Sequence, residues 1–114
     1  MIAWQKAREL AKAVYLVATK GELSRDFGFR DQIRRSAVSV MANLAEGFER
    51  GRRTEFHQFI SIAKSSCAEL RSHLYLALDI GYLDQETFTR LHAMTEELSR
   101  ILGGLRASVE KQKG

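Results

Sequence analysis

The sequence predicts an all-α fold, an up-down-up-down antiparallel four-helix bundle that fills residues 1–114 as one domain. Three features point there. Apolar residues recur at steps of three and four through most of the 114-residue chain, the period of a helix with one face in a core. Proline is absent, so few positions can interrupt a helix, and Gly21, Gly51 and Gly81 separate the periodic runs. The intervals between runs are short, and a short connection cannot return the chain to the end it left, so successive helices alternate in direction.

The first helix is expected over about residues 2–19, with Ala3, Ala7, Leu10, Val14 and Val17 on one stripe. Trp4, Ala11, Tyr15 and Ala18 form an adjoining stripe, read as core or interface. Gly21 ends this helix, and Ser24 is a candidate cap for the next. The second helix, about residues 25–50, aligns Phe29, Ile33, Ala37, Val40, Leu44 and Phe48. Gly51 breaks it and Thr54 is a candidate cap for the third, about residues 54–80. There Phe56, Ile60, Ala63, Cys67, Leu70, Leu74 and Ala77 repeat in strict alternation of four and three. A neighbouring stripe of Phe59, Ile62, Ser66, Glu69, His73, Leu76 and Ile80 is apolar at both ends and polar in the middle. Asp84 caps the fourth helix, about residues 84–110, along which Phe88, Leu91, Thr95, Leu98, Leu102, Leu105 and Val109 keep the same spacing. The tail from Lys111 to Gly114 is expected to fray. A bundle helix needs one apolar face, so the second stripes on the first and third helices point to a surface that meets another subunit.

Composition fits a folded domain, with 45% hydrophobic and 28% charged residues. No run approaches the roughly 18 apolar residues of a membrane span. The N-terminal MIAWQKARELAKAVY is charged throughout and lacks the apolar core of a secretion signal, so a cytoplasmic location is expected. The lone Cys67 cannot form an intrachain disulfide or a metal cluster and reads as an inert core thiol. The formal charge is +4 with a pI of about 9.5, carried mostly by arginine. Such a balance permits nucleic-acid contact where the charge clusters on one face.

Read in order, WQKARELAKAVY, FGFRDQIRRSAVSVMANLAEGFERG and EFHQFISIAKSSCAELRSHLYLALDIGYL resemble the four-helix-bundle proteins known as 23S ribosomal RNA intervening-sequence proteins. The most specific stretch is QIRRSAVSVMANLAEG, Gln32 to Gly47, which follows the family pattern QIRR-A-x-S-x-x-x-N-x-A-E-G. The resemblance implies a small basic bundle that forms a ring-like homopentamer, in a family some of whose members are encoded within 23S ribosomal RNA genes. A more distant similarity extends to the accessory proteins of diversity-generating retroelements, which partner a reverse transcriptase and bind nucleic acid. One departure is visible: family members commonly carry a proline two residues before the Asn, where this chain has Met41.

Two constellations are candidates for function. Ser39, Asn43 and Glu46 lie on one stripe of the second helix with Ser36 and Arg50, beside the small residues Ala42, Ala45 and Gly47. They are read as a polar network at a helix or subunit contact, against a solvated face with a Glu46–Arg50 pair or a catalytic carboxylate. Arg30, Arg34, Arg35, Arg50, Arg52 and Arg53 form the second, and Asp31 and Glu49 sit four residues before Arg35 and Arg53 to pair with them. Arg34, Arg50, Arg52 and Arg53 are the expected phosphate contacts, since the guanidinium fork donates two parallel hydrogen bonds. No aromatic-rich basic surface for stacking single strands is apparent.

Catalytic readings find less. The Glu and Glu-x-x-His pattern of di-iron bundles is absent, because Glu69 and His73 are four apart. The spacing from Arg52 to His57 resembles that of HEPN ribonucleases, but a spacing this short arises by chance in an arginine-rich chain. No catalytic residue, metal ligand or cofactor is assigned. The sequence thus predicts a non-catalytic basic scaffold that associates with itself and binds structured RNA or another nucleic acid. An adaptor for a protein such as a reverse transcriptase, and a metal-independent ribonuclease, are the other readings.

Overall fold

The computed structural model describes residues 1–112 and is a bundle of antiparallel helices. Its elements are α1 (Ile2–Val17), α2 (Gly21–Arg25), α3 (Phe27–Arg50), α4 (Arg53–Asp79) and α5 (Gln85–Lys111). The four long helices pack in chain order around one core: α1 lies against α3 and α5, and α4 closes the ring between α3 and α5. Lys111 closes α5, and Lys113 and Gly114 of the expected frayed tail lie outside the described residues.

The helix ends correct the sequence reading in three places. A separate short helix, α2, stands between the first two long ones, and Leu23 seals it onto the core. The cap of α3 is Asp26 and not Ser24: Asp26 Oδ1 accepts from the Phe29 amide at 3.2 Å, while Ser24 Oγ donates to the Gly21 carbonyl. Asp26 also receives the Tyr82 hydroxyl at 2.8 Å, so one carboxylate pins the start of α3 to the turn between α4 and α5. Thr54 lies inside α4, which starts at Arg53 with no side-chain cap. Gly51 ends α3 in the left-handed conformation, φ 74°, which glycine adopts without steric cost.

Asp84 caps α5 by accepting from the Thr87 amide at 2.8 Å, and these hydrogen bonds hold its carboxyl below the usual carboxylate range. A depressed folded-state pKa contributes stability that is present above the unfolded value and lost as pH falls through the folded one. Asp84→Ala is therefore expected to melt at a lower temperature than the parent at neutral pH, with the gap narrowing in strong acid. Thermal melts from neutral to acidic pH check this; a deficit independent of pH would contradict it.

The apolar stripes read from the sequence are the core. Ile60, Ala63, Cys67, Leu70, Leu74 and Ala77 of α4 are fully buried, facing Leu91, Leu98 and Leu102 of α5 and Ile33, Val40 and Leu44 of α3. The Cys67 thiol donates to the Thr95 carbonyl at 3.3 Å, and burial pushes its pKa up. Phe48 is the exception, since it continues the α3 stripe yet is 61% exposed. Phe48 stands in the last turn of α3, where α1 begins beside it with Met1 and Trp4.

The second stripe on α4 divides. Phe59, Ser66 and His73 are half-buried and turn towards α3, whereas Ile62, Leu76 and Ile80 are 47–49% exposed beside exposed Glu69.

Candidate nucleic-acid interface

The predicted site residues fall into three groups. Ser39 and Asn43 form a polar contact between α3 and α4. Asn43 Nδ2 donates to the Ser39 carbonyl at 2.8 Å and to Ser39 Oγ at 3.0 Å, and Ser39 Oγ meets Ser66 Oγ at 2.7 Å. Small side chains on both helices let these groups meet directly, and each hydrogen bond spares a half-buried polar atom from being left unpaired. Glu46 lies outside this network. It is exposed and accepts from Arg50 Nη2 at 3.0 Å, the i,i+4 pair of a solvated face. Gly47 serves the same chain: a Cβ there would stand 2.5 Å from Phe59 Cβ, so its absence is what lets α4 come this close.

Arg34 stands apart from Arg50, Arg52 and Arg53, in an open groove that Tyr15, Arg35 and Ser39 also line. It lies sixteen residues before Arg50 on the same helix, roughly 24 Å along the axis, and faces α1. Its guanidinium covers the Tyr15 ring at 4.6 Å and Nη2 reaches the Tyr15 carbonyl at 3.5 Å, while buried Nε has no acceptor among the described residues. Arg34 therefore does not share a surface with Arg50, Arg52 and Arg53. The intrahelical pairs also differ from expectation. Asp31 pairs with Arg30 at 3.4 Å and not with Arg35. Gly51 breaks the helix between Glu49 and Arg53, which removes the register that an i,i+4 pair needs.

The third group lies at the bundle end where α3 turns into α4. Arg50 is held there by Glu46 and by Glu55 across the α3–α4 turn at 3.8 Å, with its guanidinium over Phe59 at 5.3 Å. The Glu46 hydrogen bond raises its pKa. Arg52 and Arg53 make no ion pair among the described residues. They flank the first turn of α4, whose free amides add partial positive charge.

Both arginines border an open cavity of about 520 Å³ that Phe48, Phe56, Leu105 and Val109 also line. The sequence reading missed this juxtaposition of aromatic and basic side chains. Phe48 and Phe56 each complete the apolar stripe of a different helix, and the turn between α3 and α4 brings their rings to 6.0 Å.

The histidines are engaged elsewhere. His57 Nε2 is 3.9 Å from Glu110, His73 Nδ1 is 3.4 Å from Ser36 Oγ, and His92 Nδ1 is 3.3 Å from Glu96. Among the described residues no group of three or more His, Cys, Asp or Glu side chains is placed to hold a metal ion. None of their helices is long and apolar enough to cross a membrane.

Comparison with known proteins bears on the fold and the family. A crystal structure of a protein of unknown function from the S23 ribosomal protein family of Bacteroides thetaiotaomicron superposes with a TM-score of 0.83 at 22% identity, covering 91% of this chain and 97% of that one. At that identity the likeness establishes the fold alone. No curated protein matches the chain in sequence. The profile of the 23S rRNA-intervening sequence proteins matches residues 1–104. With nearly the full length matched, and with the Gln32–Gly47 stretch built into the α3–α4 contact, this chain belongs to the 23S rRNA-intervening sequence protein family.

Proposed function

We propose that the protein is a non-catalytic, homo-oligomeric basic scaffold that binds RNA through arginine–phosphate contacts centred on Arg52 and Arg53. The observation that carries this is the state of those two side chains: no carboxylate among the described residues neutralises them, and they stand beside the N-terminal turn of a long helix. Arg50, held by Glu46 and Glu55, orders the turn that presents them. Arg34 belongs to a different surface and is not part of this contact.

Self-association multiplies the effect. Ile62 near the start of α4 and the pair Leu76 and Ile80 near its end are exposed apolar side chains, of the kind that a second subunit covers. The family resemblance supports a ring-like homopentamer as the assembly, in which each subunit would bring its own pair of arginines. Several sites on one RNA bind with avidity that a single patch lacks.

A structured RNA titrated at several salt concentrations tests the contact. Affinity is expected to fall steeply with salt, by about 10³-fold or more between low and physiological salt where six or more phosphates are neutralised. An affinity indifferent to salt, or no binding at low salt, refutes the phosphate reading. Light scattering tests the assembly, and a monomeric mass refutes it. The RNA is expected to emerge intact; its cleavage by the parent but not by His57→Ala would replace the scaffold with a ribonuclease.

A further inference from the structure

The cavity beside Arg52 and Arg53 has the chemistry of a base pocket. Its wall and floor are apolar: Phe48 and Phe56 meet edge to face at 6.0 Å with their planes at 80°, backed by Leu105 and Val109. Phe48 is 61% exposed, so its ring is accessible to a stacking partner. The rim is cationic, with both arginines placed where phosphates would flank a base held in the cavity. Ser108 and Gln112, on the side formed by α5, bring a hydroxyl and an amide that can bond to a base edge. The volume of about 520 Å³ lies within the usual range for small-ligand pockets, about 300–1,000 Å³.

We propose that this pocket takes an unpaired nucleotide, with its base stacked on Phe48 and its phosphates on Arg52 and Arg53. The preferred RNA is then one with a loop, bulge or single-stranded end, and not a continuous duplex. A duplex buries its base faces in its own stack and offers the pocket only its backbone, whereas an unpaired base has a free face for the ring. Charge selects the occupant: the two arginines complement a phosphate chain, and an uncharged apolar ligand would leave them unused. The proposal rests on reading those arginines as phosphate contacts, and it adds the feature of the RNA that the protein selects.

The test uses the full chain and two fluorescein-labelled RNAs, an unpaired mixed-sequence 10-mer and the same 10-mer annealed to its complement, followed by anisotropy. The parent is expected to prefer the unpaired strand. Phe48→Leu, an exposed and apolar change that leaves the core intact, is expected to weaken binding of the unpaired strand by about 5- to 150-fold. Its binding of the duplex and the salt dependence of both are expected to be unchanged. Phe48→Trp, which restores a stacking face, is expected to recover the affinity.

Equal binding of the two RNAs by parent and Phe48→Leu would overturn the base pocket and leave the phosphate contact standing. Failure of the parent to bind either RNA at low salt would overturn both. A loss in Phe48→Leu that extends equally to the duplex would also overturn the pocket, because stacking cannot account for it.

Discussion

Gly47→Ala is expected to destabilise the bundle by about 1–3 kcal/mol, the range for forcing extra atoms into a packed contact. The cause is local and named. The added Cβ would lie 2.5 Å from Phe59 Cβ and within van der Waals distance of Phe56, 3.2 Å from its Cδ1. Phe59 Cβ is the root of its side chain and moves only with its backbone, so α4 itself has to shift. The shift would also strain the Ser39–Ser66 bond farther along the same helix pair. Helix propensity acts in the opposite sense, since glycine in a helix interior costs about 1 kcal/mol relative to alanine. Gly104 isolates that term. It lies inside α5, and a Cβ added there would meet nothing within 4 Å, so Gly104→Ala is expected to stabilise by up to about 1 kcal/mol. Chemical denaturation of the two variants gives the answer, and a stabilised Gly47→Ala would show that the close approach of α3 and α4 is not essential.

Replacing Arg52 and Arg53 together by alanine is expected to lower RNA affinity by at least about a hundredfold at low salt. Each lost charge-assisted hydrogen bond accounts for about 1.5–3 kcal/mol. The slope of log affinity against log salt should flatten as well, by about 0.7–0.9 for every phosphate contact removed. Stability should change little, because Arg52 is exposed, Arg53 is half-buried, and alanine is acceptable in the first turn of a helix. Double replacement by lysine separates charge from geometry. It keeps the charge and the slope, but loses affinity because an ammonium cannot present the two parallel donors of a guanidinium. Arg34→Ala serves as the contrast on the opposite end of α3, and RNA affinity should be unaffected. Should Arg34→Ala reduce affinity as much as the Arg52 and Arg53 pair, the contact surface would have to be redrawn along α1 and α3.

Much of this protein can be read from its residues. The stripe Ile60, Ala63, Cys67, Leu70, Leu74, Ala77 names the buried face of α4 without further information, because a helix repeats every 3.6 residues and apolar side chains leave water. Gly51 and Asp84 mark their helix ends for equally local reasons: one supplies a positive φ, the other an acceptor for a free amide. The Ser39–Asn43 contact was legible in kind, since polar groups beside small residues imply a close neighbour. The partner was not, because Ser66 is 27 residues away on another helix.

What the sequence determines by itself is therefore the four long helices, the face each one buries and the family. The tertiary structure alone decides which side chains become neighbours. Ser39 and Ser66 lie 27 residues apart on different helices, yet their hydroxyls meet at 2.7 Å. Phe48 and Phe56 each continue a core stripe, yet the folded chain sets them 6.0 Å apart beside Arg52 and Arg53 at an open end of the bundle. Periodicity fixes a residue's angle around its own axis. Its height relative to the other helices depends on their lengths and on how their ridges pack, and those terms are summed only in the folded bundle.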